Sequence, residues 1–266
     1  MGLNRRELLT GAGGAAAGAL GLFAADRAAA APESAHLPFY GGYASAVRPD
    51  LSAPHAPSGA VVWSGQTATR RVALTFDDGP MPDWTPRVLE ALARHDVPAT
   101  FFVKGVNVRR HAAIHRDSVG RHEIGNHTWD HPDLARLDHP ACTDQLERTT
   151  AEIEHAYGVR PTLFRPPYGH LGGSSLLAAA EQGLTTVLWS AQMRENLYVQ
   201  HPEGITGYLR STVRPGSVIL AHDTGPADRL VTIVHLDAII TGLKADGYEL
   251  TTVSALCGLP GSDAHA

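Results

Sequence analysis

Thr75-Phe76-Asp77-Asp78-Gly79-Pro80 follows the apolar run Val72-Ala73-Leu74, and its reading sets the frame for the whole chain. A short apolar run closed by a Gly-Pro breaker reads as a buried strand and its end. Asp77 and Asp78 therefore stand where a strand leaves the core. Two neighbouring buried carboxylates without partners cost several kcal/mol, so the fold must bring partners to them. A metal cation is the first candidate, and ligands of the right type stand downstream at His127 and His131. The alternative is a polar turn with one capping carboxylate.

Outward from this stretch, short apolar runs alternate with longer amphipathic ones. The pattern predicts strands at Val72-Phe76, Thr100-Val103, Glu123-Gly125, Thr162-Phe164, Thr185-Leu188, Ser217-Ala221 and Glu249-Thr251. Helices are predicted between them, at Pro86-His95, Val106-Val119, Thr143-Tyr157, Ser174-Gln182, Glu203-Val213 and Arg229-Asp246. In the third helix Leu146, Thr150, Ile153 and Tyr157 recur at helical spacing and form one apolar stripe. This alternation argues for an α/β fold with parallel strands and right-handed crossovers. No Gly-x-Gly-x-x-Gly opens the first helix, so a dinucleotide fold has no support. About seven strand-helix units suggest an imperfectly closed (β/α) barrel, whose chemistry sits at the carboxyl ends of the strands. Polar groups fall there repeatedly: Asp77-Asp78, His127, Arg165, Trp189 and His222. That convergence is stronger evidence than any one motif.

The chain of 266 residues, 43% hydrophobic and 18% charged, suffices for one sizeable soluble domain. A net charge of -5 and the absence of a basic run argue against nucleic acid as a partner. At the N-terminus, Arg5-Arg6 precedes a Gly/Ala-rich stretch from Thr10 to Ala25, and small residues at Ala28-Ala31 offer a cleavage site. Residues 1–31 thus look like a twin-arginine export signal, or an ordinary secretory signal with a chance arginine pair. The stretch is shorter than the ~20 residues a membrane span needs, so no permanent span is expected. Export machinery and a secreted or cell-wall location follow. Residues 32–70, with five prolines, read as a Pro/Ala-rich linker or wrap carrying one short strand at Ala60-Trp63. Cys142 and Cys257 either pair after export or remain thiols.

His127 and His131 lie four residues apart in Asn126-His127-Thr128-Trp129-Asp130-His131-Pro132. Pro132 disfavours helix at His131, which places the pair in a loop or terminating turn. Among 15 histidines such a spacing also arises by chance. With Asp78 the set becomes two imidazoles and one carboxylate, which leaves coordination positions open, the pattern of a catalytic zinc site. One aspartate can then bind the ion while the other stays free to take a proton. Arg165, in Phe164-Arg165-Pro166-Pro167-Tyr168-Gly169, can orient a carboxylate through a bidentate pair or sit at the surface beside a stiff turn. His222 ends the sixth strand, as a general acid or as a structural histidine.

These residues resemble the polysaccharide deacetylases of the NodB-homology type, carbohydrate esterase family 4. The resemblance spans Arg71 to Thr252, about two thirds of the chain. It implies a distorted (β/α) barrel of about seven parallel strands, with residues 71–255 as the deacetylase domain and 256–266 as a C-terminal tail. It implies Asp77 as general base, and Asp78, His127 and His131 as ligands of a divalent metal, zinc with cobalt as the alternative. Arg165 would orient Asp77. Tyr168 would serve the oxyanion through its backbone N–H, Pro167 and Leu220 would contact substrate, and His222 would protonate the leaving amine. An acetylated glycan is the implied substrate, chitin oligomers or peptidoglycan.

One element departs from the family pattern. Asp-x-x-Asp-Trp after the fifth strand is replaced by Gln192-Met193-Arg194-Glu195-Asn196. Gln192 removes a charge expected near Arg165, Glu195 can still polarise His222, and Asn196 removes an apolar wall. An active N-deacetylase with altered preference or rate is the leading expectation. An O-acetyl esterase on xylan and a non-catalytic glycan-binding protein are the alternatives.

Overall fold

In the computed structural model the described residues are 39–40, 60–261 and 263–264. The predicted export signal lies outside them, as does the predicted linker up to residue 59 apart from Phe39–Tyr40. Nine strands form the main sheet: β1 Val61–Val62, β2 Arg71–Asp77, β3 Thr100–Val103, β4 Glu123–Asn126, β5 Leu163–Phe164, β6 Thr185–Val187, β7 Ala191–Gln192, β8 Val218–His222 and β9 Glu249–Thr251. Their order is β7-β8-β2-β3-β4-β5-β6-β1, every pair parallel. β9 lies beside Arg71–Ala73 of β2, where β3 takes Thr75–Asp77. All seven predicted strands are present, and β1 falls within the stretch predicted for the linker's short strand. The chain after β1 returns to the start of β8, where Ser64 bridges Ser217 and the Gly65 N–H donates to the Gly216 carbonyl at 2.8 Å. The sheet thus curls into a distorted barrel.

Side-chain parity on β2 explains what fills each layer. Val72, Leu74 and Phe76 pack outward with Phe101, Ile124, Val88, Leu236 and Ile240, between sheet and helices. Ala73 faces the other way, with Phe102, Leu163, Val187 and Val218, into the barrel. Thr75 and Asp77 share Ala73's parity. Small residues at 73 and 75 therefore leave the interior open beneath Asp77.

The helices are α1 Thr85–Arg94, α2 Gly105–His111, α3 His139–Tyr157, α4 Gly173–Glu181, α5 Gly204–Thr212, α6 Leu230–Ala245 and α7 Val253–Cys257. Two bounds differ from the sequence pattern by more than one residue. α3 begins four residues earlier than predicted, because the Asp138 carboxylate caps it by accepting from the Ala141 N–H and Pro140 occupies its first turn. α2 ends at His111 rather than Val119; a 3-10 turn at Ala112–Ile114 then carries His115 into the core against Phe101, ring centroids 4.6 Å apart. α7 was not predicted. Thr252 caps it, and its Val253 and Leu256 join the interior cluster. Among the described residues no helix is long and apolar enough to cross a membrane. Cys142 and Cys257 are both free thiols.

The buried histidines give the fold an acid sensitivity. Burial, then the neighbouring His122, pushes His115 down to about 3; burial, then Arg121, pushes His122 down to about 4. His122 Nδ1 accepts the Ala99 N–H at 3.2 Å, which holds that nitrogen unprotonated. In the unfolded chain both titrate near ~6.5, so there the unfolded state binds more protons as pH falls. Their contribution is complete above about pH 6.5 and is lost as pH drops toward 4. Urea midpoints should fall between pH 7.5 and 4.5, less steeply in His115→Leu. Equal slopes for parent and variant would rule this out.

Candidate active site

Parallel pairing brings the chemistry to one rim. In register, His222 lies opposite Asp77, and Asp77 opposite Phe102 on the other side. β4 ends at Asn126 and β5 at Phe164, so His127 and Arg165 leave the sheet side by side, and the Arg165 N–H donates to the Asn126 carbonyl at 2.9 Å. Six non-glycine residues have positive φ among those described, and four of them, Asp78, Thr128, His131 and Tyr168, are here. Such backbone persists only where its surroundings over-determine it, and it collects at functional sites.

Asp78, His127 and His131 converge, their three candidate ligand atoms within 4.8 Å of one another. His127 Nε2 stands 3.7 Å, and His131 Nε2 3.4 Å, from Asp78 Oδ1. Ligands about 2.1 Å from a tetrahedral ion stand about 3.4 Å apart, so the spacing fits one cation. The donor atoms are prepared for it. His127 Nδ1 meets the Arg165 carbonyl at 2.7 Å; a carbonyl only accepts, so Nδ1 donates there and Nε2 is the nitrogen turned to Asp78. Burial, then His127, pushes His131 down to about 4, which keeps it neutral at pH 7. Asp78 Oδ1 is buried and accepts no hydrogen bond. Burial raises the Asp78 carboxyl, but His127, Lys104, His131 and the Arg229 hydrogen bond together hold it far below the usual range. An ionised, orphaned carboxylate oxygen facing two imidazoles suits a divalent transition ion.

Asp77, one residue earlier, faces elsewhere. Its Oδ1 accepts from Arg165 Nη1 at 2.7 Å, while Oδ2 is 3.9 Å from His127 Nε2. Arg165 is 0% exposed. Its guanidinium also donates to Thr75 Oγ1 and to the carbonyls of Val187 and Leu188, and lies over the Phe102 ring at 4.1 Å. It fills the space that Ala73 and Thr75 leave. Burial lowers its pKa, with the Asp77 charge working against that.

Across the rim, His222 follows the inward-facing Leu220 on β8. Glu195, in the 3-10 turn Glu195–Leu197, accepts from Thr232 Oγ1 at 3.1 Å. Burial raises the Glu195 carboxyl, but the adjacent His222, its own backbone and Thr232 outweigh it and hold it ionised. Leu220 and Pro167 are buried, whereas Tyr168 is 61% exposed, its ring against His131 with centroids 4.7 Å apart. Gln192 is half-buried beside Leu220, and Asn196 is exposed. The substitution at 192 leaves Arg165 well served, since Asp77, Thr75 and two carbonyls already occupy its donors.

Three residues that sequence reasoning passed over belong to this site. Arg229 and Lys104 both contact the Asp78 carboxylate, at 2.8 and 3.7 Å. Asp223, next to His222, is buried and packs on Gly79 so closely that a Cβ there would lie 2.2 Å from its Oδ2. Thr85 Oγ1 accepts the Met81 N–H and donates to Asp223 Oδ2 at 2.7 Å, which ties the turn after Asp78 to β8. Burial, with the Asp78 and Asp77 charges, pushes Asp223 up to about 7 despite the Thr85 bond. The only sequence signals were positional: Lys104 and Asp223 end strand runs, and Arg229 opens a helix.

The chain is similar to known proteins over about three quarters of its length. Residues 64–187 match the family model described as polysaccharide deacetylase. The chain is 35% identical over 198 residues to a peptidoglycan-N-acetylglucosamine deacetylase of Bacillus cereus, covering 74% of this chain and 72% of the relative. It is also 35% identical over 190 residues to the peptidoglycan-N-acetylglucosamine deacetylase PgdA of Listeria monocytogenes; that match covers 71% of this chain but only 39% of the relative. Among solved structures, the Bc1960 peptidoglycan N-acetylglucosamine deacetylase, bound to a naphthyl N-hydroxybenzamide, superimposes with a TM-score of 0.72 at 33% identity over 76% of this chain and 95% of that one.

Proposed function

The chain belongs to the polysaccharide deacetylase family, and on that footing we propose that it is a metal-dependent hydrolase that removes N-acetyl groups from a cell-wall or extracellular glycan. Peptidoglycan or chitin oligomers are the substrate class. The observation that carries this reading is the split between adjacent carboxylates: Asp78 Oδ1 faces the Nε2 atoms of His127 and His131, while Asp77 is turned onto Arg165.

Asp77, held in one orientation by Arg165, takes the proton from the attacking water. His222 gives a proton to the sugar amine as it leaves, with Glu195 ionised beside it to support the imidazolium. The Tyr168 turn offers a backbone N–H to the oxyanion, and Leu220 with Pro167 receives the acetyl methyl. Asp78, His127 and His131 would hold a divalent cation, zinc or cobalt, which when bound would supply Lewis acidity. The catalytic unit takes in β1 and α7 together with residues 71–255, is exported by the twin-arginine route through residues 1–31, and is preceded by the linker that begins at residue 32.

The test is acetate release from a panel of N- and O-acetylated glycans, with and without chelator and with zinc or cobalt restored. We expect release from N-acetylglucosamine polymers, lost with chelator and in Asp78→Ala/His127→Ala. Equal release by that double variant would sink the metal mechanism. Release from acetylated xylan alone would assign an O-acetyl esterase, and tight glycan binding without release a binding protein.

A further inference from the structure

Two cations sit on the carboxylate that faces the histidines. Arg229 Nη1 donates to Asp78 Oδ2 at 2.8 Å and to the Thr224 carbonyl at 2.7 Å. Lys104 Nζ lies 3.7 Å from Oδ1. Both side chains are largely shielded, 23% and 22% exposed.

Neither contact is a loose surface pairing. Arg229 closes the 3-10 turn Ala227–Arg229 and leads directly into α6, whose Leu236, Ile239 and Ile240 are buried against the sheet. Gly225, at a φ of +124°, lies under the guanidinium, and a Cβ there would stand 2.4 Å from Arg229 Nη1. A glycine is thus needed for the arginine to lie down on its own loop. Lys104 follows β3 directly, and its N–H donates to the Gly79 carbonyl at 3.1 Å, fixing it to the turn after Asp78.

A carboxylate shared with two cations has less negative charge to offer a third. Close like charges also repel a divalent ion at Oδ1 through a poorly screened interior. The hydrogen bond at Oδ2 further leaves only Oδ1 as a donor. Groups around a metal ligand tune the metal as well as orient it. Weaker donation from the protein leaves the ion a stronger electron-pair acceptor toward whatever occupies its open positions.

We propose that Arg229, with Lys104, is a positioning residue that confines Asp78 to one metal-facing oxygen and weakens its donation, so that a bound divalent ion is held less tightly and polarises substrate more strongly. This rests on the reading of Asp78, His127 and His131 as metal ligands. The measurement is the zinc dissociation constant of the full chain, by competition with a chromophoric chelator, beside circular dichroism and thermal unfolding. Arg229→Gln should bind zinc roughly 10-fold more tightly than the parent, and its kcat should fall although more of it carries zinc. Lys104→Met should tighten binding by roughly 3-fold, and Arg229→Lys, which keeps the charge, should stay close to the parent. Unchanged or weaker zinc binding in Arg229→Gln and Lys104→Met overturns the proposal; if Arg229→Gln does not fold, Lys104→Met alone decides. His127→Ala binding zinc as tightly as the parent would instead overturn the metal-site reading itself.

Discussion

An Asp77→Asn variant should release acetate roughly 10²–10⁴-fold more slowly than the parent while still binding zinc, the range expected when a positioned general base is removed. The substitution keeps size and shape. An amide oxygen can still accept from Arg165 Nη1, which now meets Asp77 Oδ1 at 2.7 Å. What vanishes is the lone pair that takes the proton. The candidate ligands are untouched: the Asp77 carboxylate is 3.9 Å from His127 Nε2 and outside the cluster of Asp78, His127 and His131. Asp78→Asn should behave differently, losing zinc and rate together. Acetate release paired with zinc stoichiometry separates the two. If Asp77→Asn keeps its zinc and its rate lies within about tenfold of the parent, Asp77 is not the base.

Two adjacent carboxylates point to separate sets of positive groups. Each has its own cations. Asp77 has a guanidinium buried in the barrel; Asp78 has Arg229 and Lys104 at the rim and two imidazoles in front. A third carboxyl, Asp223, lacks a cation of its own and is the one driven up to about 7. Partner supply, rather than burial alone, thus separates Asp78 from Asp223.

What the sequence made legible follows from range. β2 was readable because one run of residues, Val72 to Phe76, carries its own burial signal. The candidate ligands were readable because a parallel sheet sends every strand end to one rim, so His127, Arg165 and His222 could be placed near Asp77 without knowing any distance. The fate of α2 was not readable: nothing near Ala112 announces a break, and it comes from His115 fitting against Phe101, a contact across the fold. α3's true start was announced by Asp138-His139-Pro140, a cap signal that the apolar stripe beginning at Leu146 obscured. Arg229 was hidden for a further reason. It lies 151 residues from Asp78, in a loop where an arginine is ordinarily a solvated surface group. Gln192 looked like a lost charge in the Arg165 network, yet the network closes through Thr75 and two backbone carbonyls that no motif names.

Arg165→Met should destabilise the fold by about 3–5 kcal/mol, because it strands one half of a buried ion pair. Methionine replaces much of the volume but none of the donors. Asp77 would be left buried and unpaired, and the Val187 and Leu188 carbonyls and Thr75 Oγ1 would lose the guanidinium that now bonds them. For a domain of this size the loss corresponds to a melting-point drop on the order of 10 °C. Arg165→Lys should recover little of it, since an ammonium cannot span these acceptors as the planar fork does. The informative comparison is a double-mutant cycle with Asp77→Asn. Once Arg165 is gone, neutralising Asp77 removes the stranded charge, so the double variant should be more stable than the sum of the single losses implies, by about 1–3 kcal/mol. Additive losses in urea unfolding would mean that Arg165 supports the barrel through the carbonyls and Phe102 alone, and that the orientation of Asp77 has another source.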